Sequence, residues 1–425
     1  MHSSFFGDTI EKRQGKEYFM KKVSFIHAAD LHLDSPMDGL KHLPVNIFTR
    51  VKESTFLALK KLTSVAIEQQ VDFVILAGDL FDGEDRSIRA QARFRTEMLK
   101  LAEKEIPVYV VHGNHDHLNG SWVNLGMPAN VHTFSSEVET KVLKTKNGSI
   151  VHLYGFSYAT RHVYDRKIDD YKKVDGADFH IGILHGNEST GTEHDNYAPF
   201  SIKDLLQKDF DYWALGHIHK RAVLSENPPI IYPGNIQGRN KKESGGKGFY
   251  QVSLTELGAK MNFIEASDIN WEEAVIDTAT ASSFYDVFRL CQMAINHVRK
   301  DDKGTLVTLF LKNVQLTNDR EKKSLHGELL ELLLEEEKEE ESFVWTVELK
   351  STESQQVNKD QLRTEANFYG ELFETIDQFE GFETALAPLY NHQLGRKYLS
   401  YLTPKEQKEL IQNAERLLIE LLYQA

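Results

Sequence analysis

The chain has 425 residues, 40% of them hydrophobic, which is enough to build the cores of two globular domains and excludes a disordered chain. Its formal charge of −14 excludes a protein coated in basic surface, and no apolar run approaches the ~20 residues that a membrane-spanning helix needs. The single cysteine, Cys291, excludes an intrachain disulfide, so we expect a soluble cytoplasmic protein with this thiol buried in a helix.

Alternating strands and helices are predicted for the first part of the chain. Residues 1–19 lack the apolar centre of a signal peptide, and we expect a disordered extension there. Over residues 20–267, short β-branched runs bounded by Gly, Asp and Asn predict buried strands, and two stretches, 46–70 and 87–104, have helical spacing. The strands are predicted at 21–30, 72–79, 107–114, 180–187, 212–219 and 228–235. This order is typical of an α/β domain, in which reactive groups collect beyond the carboxyl ends of strands.

The sequence pattern changes after about residue 268. A helix at 282–299, a strand at 304–314, an acidic helix and a strand at 342–350 predict a small α+β module. This module is expected to occupy residues 268–355, and helical sequence then continues through residues 356–425.

Side chains that commonly bind metals follow most of the predicted strands. They are Asp30, His32, Asp79, Asn114, His115, His185, His217 and His219. Carboxylates, imidazoles and an amide oxygen, with no thiolate, suit Mn²⁺, Mg²⁺, Fe or Zn²⁺. Side chains two apart on a strand face the same way, so Asp30 and His32 are expected to reach one cluster, as are His217 and His219. One such histidine alone would be interpreted as structural, but five strand-end matches favour a metal site.

The blocks DLH, GDLFD, GNHD, LHG and GHIH, in this order over residues 30–219, resemble the calcineurin-like metallophosphoesterases. Within that superfamily the chain is most similar to the DNA repair exonucleases of the SbcD type, particularly the YhaO-type bacterial proteins. The resemblance implies an α/β fold, a layered αββα sandwich with a C-terminal α+β capping module and terminal helices. It also implies two divalent metal ions as cofactors, foremost Mn²⁺, with Mg²⁺, Fe or Zn²⁺ as alternatives.

The resemblance also assigns the ligands to the two ions. One ion would be held by Asp30, His32, Asp79 and His219, and the other by Asp79, Asn114, His185 and His217. Asp79 would bridge the pair, because two ions ~3.5 to 4 Å apart can hold a hydroxide nucleophile and neutralise charge on a phosphoryl oxygen.

The stretch VVHGNHDH carries the expected catalytic residues. Gly113 is expected to allow a sharp turn after the strand, and His115 to point at the phosphate without binding metal. Asp116 is expected to hold the His115 ring by accepting a hydrogen bond, whereas His112 is interpreted as structural. Asp82, in GDLFD, is followed by no arginine of the kind found in phosphoprotein phosphatases, and nuclease relatives tend to have His there.

Two basic segments are candidates for DNA contact. The loop RNKKESGGKG offers Arg239, Lys241, Lys242 and Lys247. The helix at 87–104 and the residue before it offer Arg86, Arg89, Arg93 and Arg95. Such cations can neutralise backbone phosphates without reading bases. The alternatives are a solvated hairpin and an ordinary helix face.

Together these features predict a two-metal-dependent DNA exonuclease or phosphodiesterase. The alternatives are a phosphodiesterase or phosphatase acting on small nucleotides or phosphoprotein, which the acidic net charge favours, and a non-catalytic scaffold for an ATPase. The resemblance implies DNA and an SbcC-like coiled-coil ATPase as partners, no membrane, and allows a homodimer. The ATPase is expected to dock on a stripe of the final helix, unless that stripe packs on the helix at 365–380. The stripe comprises Leu410, Ala414, Leu417 and Leu421, with Ile411, Leu418 and Leu422 beside it.

Overall fold

The computed structural model describes residues 20–37, 39–83, 86–123, 125–189, 197–316 and 328–353. Shorter described stretches are 12–13, 16–17, 321, 324–325, 372–373, 375–376, 379, 381–392, 402–403, 406–408, 410–411, 413–415 and 418. The chain divides into two compact units, residues 1–352 and 353–425. In the described part of the chain, no helix is both long enough and apolar enough to cross a membrane.

The secondary structure elements are as follows. The strands are β1 (Lys12–Arg13), β2 (Lys16–Glu17), β3 (Lys22–Ala28), β4 (Phe73–Ala77), β5 (Val108–Val111), β6 (Val131–Thr133), β7 (Glu139–Lys144), β8 (Ile150–Gly155), β9 (Phe179–His185), β10 (Tyr212–Gly216), β11 (Ala222–Glu226), β12 (Pro229–Tyr232), β13 (Gly248–Thr255), β14 (Gly258–Glu265), β15 (Ile269–Asp277), β16 (Gly304–Val314) and β17 (Val344–Glu353). The helices are α1 (Val45–Glu68), α2 (Ile88–Glu103), α3 (Ile202–Gln207), α4 (Phe284–Val298), α5 (Glu328–Glu336) and α6 (Phe382–Asn391).

Two six-stranded sheets form the centre of the first unit. The first has the order β14-β13-β3-β4-β5-β6, with β3 to β6 parallel and β13 antiparallel to both of its neighbours. The second has the order β11-β12-β10-β9-β8-β7, in which β12, β10, β9 and β8 are parallel and the two edge strands are antiparallel. The carboxyl ends of β3, β4, β5, β9 and β10 therefore provide the loops that build the site described below.

Alternating side chains on the strands hold the layers together. In β3, Val23 and Phe25 pack between the two sheets, whereas Ile26 and Ala28 pack toward α1 and α2. On the far side of the second sheet, Trp213 and other apolar side chains pack with those of α3. Because successive strand side chains point to opposite faces, one strand feeds two cores. This arrangement confirms the predicted αββα sandwich.

A third sheet, β15-β16-β17, follows the sandwich, and β15 pairs parallel with β16. Helices α4 and α5 cover one face of it, and Cys291 lies buried in that core, as expected. The other side packs on α1 through a cluster that includes Val51 and Trp271. The Arg50 guanidinium also forms two 2.9 Å hydrogen bonds to the Asp268 carboxylate, so α1 is tied to the start of the third sheet.

The elements predicted up to residue 353 lie where they were expected, within a few residues, but several strands were missed. The clearest is the hairpin of β13 and β14, in which β13 buries alternate side chains and β14 is a half-exposed edge strand. An edge strand carries fewer apolar residues than a central parallel strand, so a search for continuous apolar runs passes over it. The predicted division after residue 267, and the helix at 365–380, stay predictions, because most of residues 354–380 lie outside the described residues.

Candidate metal centre

Six of the seven predicted ligands lie in loops after the strands rather than on them, and the seventh, His185, is the last residue of β9. Strand β3 ends at residue 28 and β10 at residue 216, before either ligand pair begins. Asp30, His32 and His217 have φ angles of 52°, 41° and 100°, in the left-handed region that few residues other than glycine adopt. The expectation that strand alternation brings the paired ligands together was therefore wrong. Turns with left-handed backbone bring the paired ligands together instead. Residues with such strained backbone are often found at functional sites.

The first group of ligand atoms consists of Asp30, His32 and His219, which converge within 4.8 Å of one another. The Nε2 atoms of His32 and His219 lie 3.1 Å apart. His219 Nε2 is 3.8 Å from Asp30 Oδ1, and His32 Nε2 is 3.8 Å from Asp79 Oδ2. Asp79 therefore borders this group.

The second group surrounds the other side of Asp79. His185 Nε2 lies 3.4 Å from Asp79 Oδ2 and 3.1 Å from Asn114 Oδ1. The same Asn114 oxygen is 3.2 Å from His217 Nδ1. The structure thus brings all seven predicted ligands into one cluster, with Asp79 in contact with histidines of both groups.

The proton positions on these rings fit a bound cation. His219 Nδ1 lies 2.7 Å from Glu243 Oε1, and His32 Nδ1 lies 3.1 Å from Asp82 Oδ1. A carboxylate partner favours the proton on Nδ1, which would leave a lone pair on each Nε2, and these two Nε2 atoms lie 3.1 Å apart. Two facing lone pairs repel unless a positive charge lies between or beside them. The donor set of carboxylate, imidazole and amide oxygen also suits a divalent metal ion.

Burial and mutual contact set the charges in the cluster. Burial lowers the pKa of His32 to about 4, so that ring is neutral and able to bind metal at neutral pH. Burial raises the pKa of Asp30. Burial would also raise the pKa of Asp79, but the neighbouring His185 holds it well below its usual value. Asp79 is 2% exposed, so its carboxylate depends on positive charge in the cluster.

Two glycines make room for the second group. A Cβ at Gly78 would lie 2.1 Å from His185 Nδ1, and the φ of +96° at this glycine also disfavours other residues. A Cβ at Gly113 would lie 2.3 Å from Asp79 Oδ1. The expected role of Gly113 was a sharp turn, but its φ is not in the left-handed region; space for Asp79 is the reason that glycine is needed here.

The surroundings of His115 differ from the expectation. Its backbone N–H donates to Asp79 Oδ1 at 3.0 Å, and its Nδ1 lies 3.2 Å from the backbone oxygen of Asp82. The Asp116 carboxylate instead contacts His112 Nδ1 at 2.8 Å and accepts from the backbone N–H of Gly113 at 2.8 Å. The expected hydrogen bond from His115 to Asp116 is therefore wrong. The Asp116 carboxylate stabilises its own loop through these two contacts, and the Asp82 carbonyl contacts the His115 ring.

Sequence reasoning missed a buried network next to His219. Glu243 contacts His219, and its other oxygen accepts from Asn235 Nδ2 and from the backbone N–H of Arg239, both at 2.8 Å. The Arg239 guanidinium also donates to Asp82. Burial opposes ionisation of Glu243, yet the His219 hydrogen bond and the Arg239 charge lower the pKa of Glu243 to about 2. Glu243 therefore stays a carboxylate and fixes the His219 ring.

Most of the predicted DNA-contact cations are already paired. Arg239 binds Asp82, Lys241 lies 3.0 Å from Glu348, and the Lys247 ammonium donates to the His219 carbonyl at 3.2 Å. Lys242 is exposed, and within the described residues its side chain forms no ion pair.

The arginines at the predicted helix face are also engaged. Arg89 and Arg93 both pair with Glu53 of α1, and Arg95 donates to the Gly126 carbonyl at 3.0 Å. Arg86 is buried, with its guanidinium 3.5 Å from the centre of the Trp122 ring, and it donates to backbone carbonyls of the Asp116 loop. These contacts connect α2 and the residue before it to α1 and to the neighbouring loops.

Comparison with known proteins shows similarity in this region and beyond it. A family model described as calcineurin-like phosphoesterase matches residues 23–221, which include all seven clustered ligands. The chain is 41% identical over 400 residues to the uncharacterized metallophosphoesterase YhaO of Bacillus subtilis (strain 168), covering 93% of this chain and 97% of that protein. It is 27% identical over 281 residues to the DNA double-strand break repair protein Mre11 of Methanococcus maripaludis, covering 60% and 69%. The same-named protein of Methanocaldococcus jannaschii is 28% identical over 269 residues, covering 60% and 68%.

Proposed function

Because the chain belongs to the calcineurin-like phosphoesterase family, whose members hydrolyse phosphoesters at a dinuclear metal site, we propose that it is a metal-dependent exonuclease acting on DNA phosphodiesters. The observation that carries this proposal is the cluster formed by Asp79 and six further ligand side chains. The similarity to proteins named for DNA double-strand break repair supports DNA as the substrate.

The proposed site residues divide between the two ions. Asp30, His32 and His219 would hold one ion, Asn114, His185 and His217 the other, and Asp79 would contact both. When bound there, two divalent ions, Mn²⁺ in our proposal, would supply positive charge to offset the charge building on the phosphoryl oxygens and would lower the pKa of bound water. The protein's own part is to hold the ligand atoms in place, which the left-handed turns and the Glu243 and Asp82 contacts do.

His115 is proposed as the residue that acts on the substrate. Its Nδ1 is engaged by the Asp82 carbonyl, which favours a proton there and leaves Nε2 for the substrate. A protonated Nε2 can donate to a phosphoryl oxygen or pass its proton to the leaving oxygen. Asp116 then acts indirectly, by fixing the loop that carries His115.

A second candidate function has one observation in its favour. The cations expected to contact DNA are mostly tied to acidic or carbonyl partners, and the net charge is −14. A small nucleotide phosphodiester needs fewer backbone contacts than a duplex and would tolerate this arrangement.

One assay separates these substrates. The metal-stripped protein reconstituted with Mn²⁺ should shorten end-labelled duplex or single-stranded DNA from an end, and Asp79→Asn should not. A cyclic nucleotide and a phosphopeptide are assayed in parallel. Hydrolysis of either one, with both DNA substrates intact, would reject the exonuclease proposal.

We also propose that an SbcC-like coiled-coil ATPase docks on the final helix. Leu410 and Leu418 are both about two-fifths exposed, whereas Leu417 and Leu421 lie outside the described residues. Removing residues 403–425 should abolish co-purification with the co-expressed ATPase while metal-dependent cleavage of short DNA persists. Retained co-purification would reject this partner surface.

A further inference from the structure

Three aromatic side chains form a cluster that begins at the candidate metal centre. The Tyr197 ring lies 5.1 Å from the ring of the ligand His217, measured between centroids. His162 stacks near Tyr197 at 5.7 Å with 24° between the planes, and Tyr164 stacks near His162 at 5.8 Å with 22°. Tyr164 and Tyr197 are 6.3 Å apart. We call His162, Tyr164 and Tyr197 the aromatic cluster.

The outer members of the aromatic cluster are open to solvent. Tyr164 is 63% exposed and His162 is also exposed, whereas Tyr197 is half-buried. Both outer residues belong to the loop after β8, which begins at the same edge of the second sheet as His185 at the end of β9 and the ligands that follow β10. The cluster therefore extends from a metal ligand to the protein surface.

We propose that His162 and Tyr164 are a stacking subsite for a nucleobase of a single-stranded or frayed nucleic-acid end, next to the phosphate held at the metal centre. This inference rests on the proposed function and names a part of its substrate. Nearly parallel rings present flat faces, and every nucleobase has a flat face that can stack on them, whatever the sequence. Tyrosine and histidine also tolerate exposure in the free protein because each ring carries a polar atom.

The charge distribution near the site favours this mode of binding. Arg239 and Lys241 are held in ion pairs, so these two cations are not free to neutralise a nucleic-acid backbone. Stacking gives affinity without a basic surface, and Tyr197 lies between His162 and the metal ligand His217, 5.7 Å from the first ring and 5.1 Å from the second. A double-stranded end would have to fray to use the subsite, since bases inside a duplex stack on each other.

The test compares binding of two fluorescent oligomers, an oligothymidylate and an abasic oligomer with the same sugar–phosphate backbone. We expect wild type to prefer the oligothymidylate. Tyr164→Ala should weaken oligothymidylate binding by at least about 5-fold, the low end of what one stacked base contributes, and leave abasic binding unchanged. Tyr164→Phe should retain wild-type binding, because the ring and not the hydroxyl makes the contact. Tyr285→Ala removes a tyrosine of similar exposure, 68%, on α4 and should change neither affinity.

Cleavage of the same oligomers keeps the subsite separate from the proposed function. If wild type cleaves oligothymidylate and Tyr164→Ala binds and cleaves it equally well, the subsite is wrong and the exonuclease proposal stands. If wild type hydrolyses bis(p-nitrophenyl) phosphate but binds neither oligomer, nucleic acid is the wrong substrate and both proposals fail. If Tyr164→Ala weakens binding of both oligomers equally, the stacking proposal is also wrong, because the abasic oligomer has no base that could stack on Tyr164.

Discussion

Glu243→Gln should weaken one of the two metal sites and spare the other. The Glu243 carboxylate contacts His219 Nδ1 at 2.7 Å, and its second oxygen accepts two further hydrogen bonds at 2.8 Å from Asn235 and Arg239. Glutamine has the size of glutamate but no charge. Its amide nitrogen is a donor and would replace one of two oxygens that face the nitrogen atoms of His219, Asn235 and Arg239. A hydrogen bond to a charged group contributes about 1.5 to 3 kcal/mol, which corresponds to about 10- to 100-fold in metal affinity.

Calorimetric titration of Mn²⁺ into the metal-stripped protein measures this effect. Wild type should show two binding events, and in Glu243→Gln only the event that involves His219 should weaken. Glu226→Gln, at an exposed position on β11, is the matched control and should bind as wild type. Two wild-type affinities in Glu243→Gln, with unchanged thermal melting, would refute the claim that this network positions His219.

Three further predictions concern single residues. Asp79→Asn should weaken both metal-binding events and abolish turnover, because Asp79 contacts histidines of both groups; two ions still bound by elemental analysis, with full activity, would contradict its assignment. His115→Ala should keep both ions and lose a factor of roughly 10² to 10⁴ in the rate of phosphodiester hydrolysis, and loss of metal would instead make it a ligand. Burial raises the pKa of the Cys291 thiol to about 12, because it disfavours the charged thiolate, so a disulfide reagent at pH 8 should label Cys291 only as fast as the protein unfolds; rapid labelling of the native protein would show that this core is open.

The sequence predicted the sandwich and the ligand cluster because both depend on short, local patterns. Apolar runs mark the central strands, and the topology of a parallel sheet brings their carboxyl ends to one edge, so ligands far apart in sequence meet. His185 and Asn114, for example, are neighbours in space although strands β6, β7 and β8 separate them in the chain. No knowledge of the exact turns was needed to place them together.

The contacts around the ligands could not be predicted in the same way, because they depend on which side chains a loop turns inward. Asp116 follows His115 directly but contacts His112, since the loop folds its carboxylate back on its own backbone. Glu243 lies in the segment RNKKESGGKG, whose basic residues were predicted to contact phosphates. The one carboxylate of this segment, Glu243, instead orients the metal ligand His219.

The partners of the arginines on α2 could not be predicted from the sequence either. Their predicted exposure to DNA depends on what the preceding helix presents to them, and Glu53 of α1 neutralises Arg89 and Arg93. Pairing between side chains 36 and 40 residues apart in sequence, on two different helices, is a tertiary property that charge counting along one helix does not contain.

The most direct test of the central claim is anomalous diffraction from crystals grown with Mn²⁺. The ligand cluster predicts two anomalous peaks about 3.5 to 4 Å apart, with Asp79 between them, His32 and His219 on one side, and His185 and His217 on the other. A single peak, or two peaks that do not share Asp79, would contradict the dinuclear centre on which the proposed hydrolysis depends.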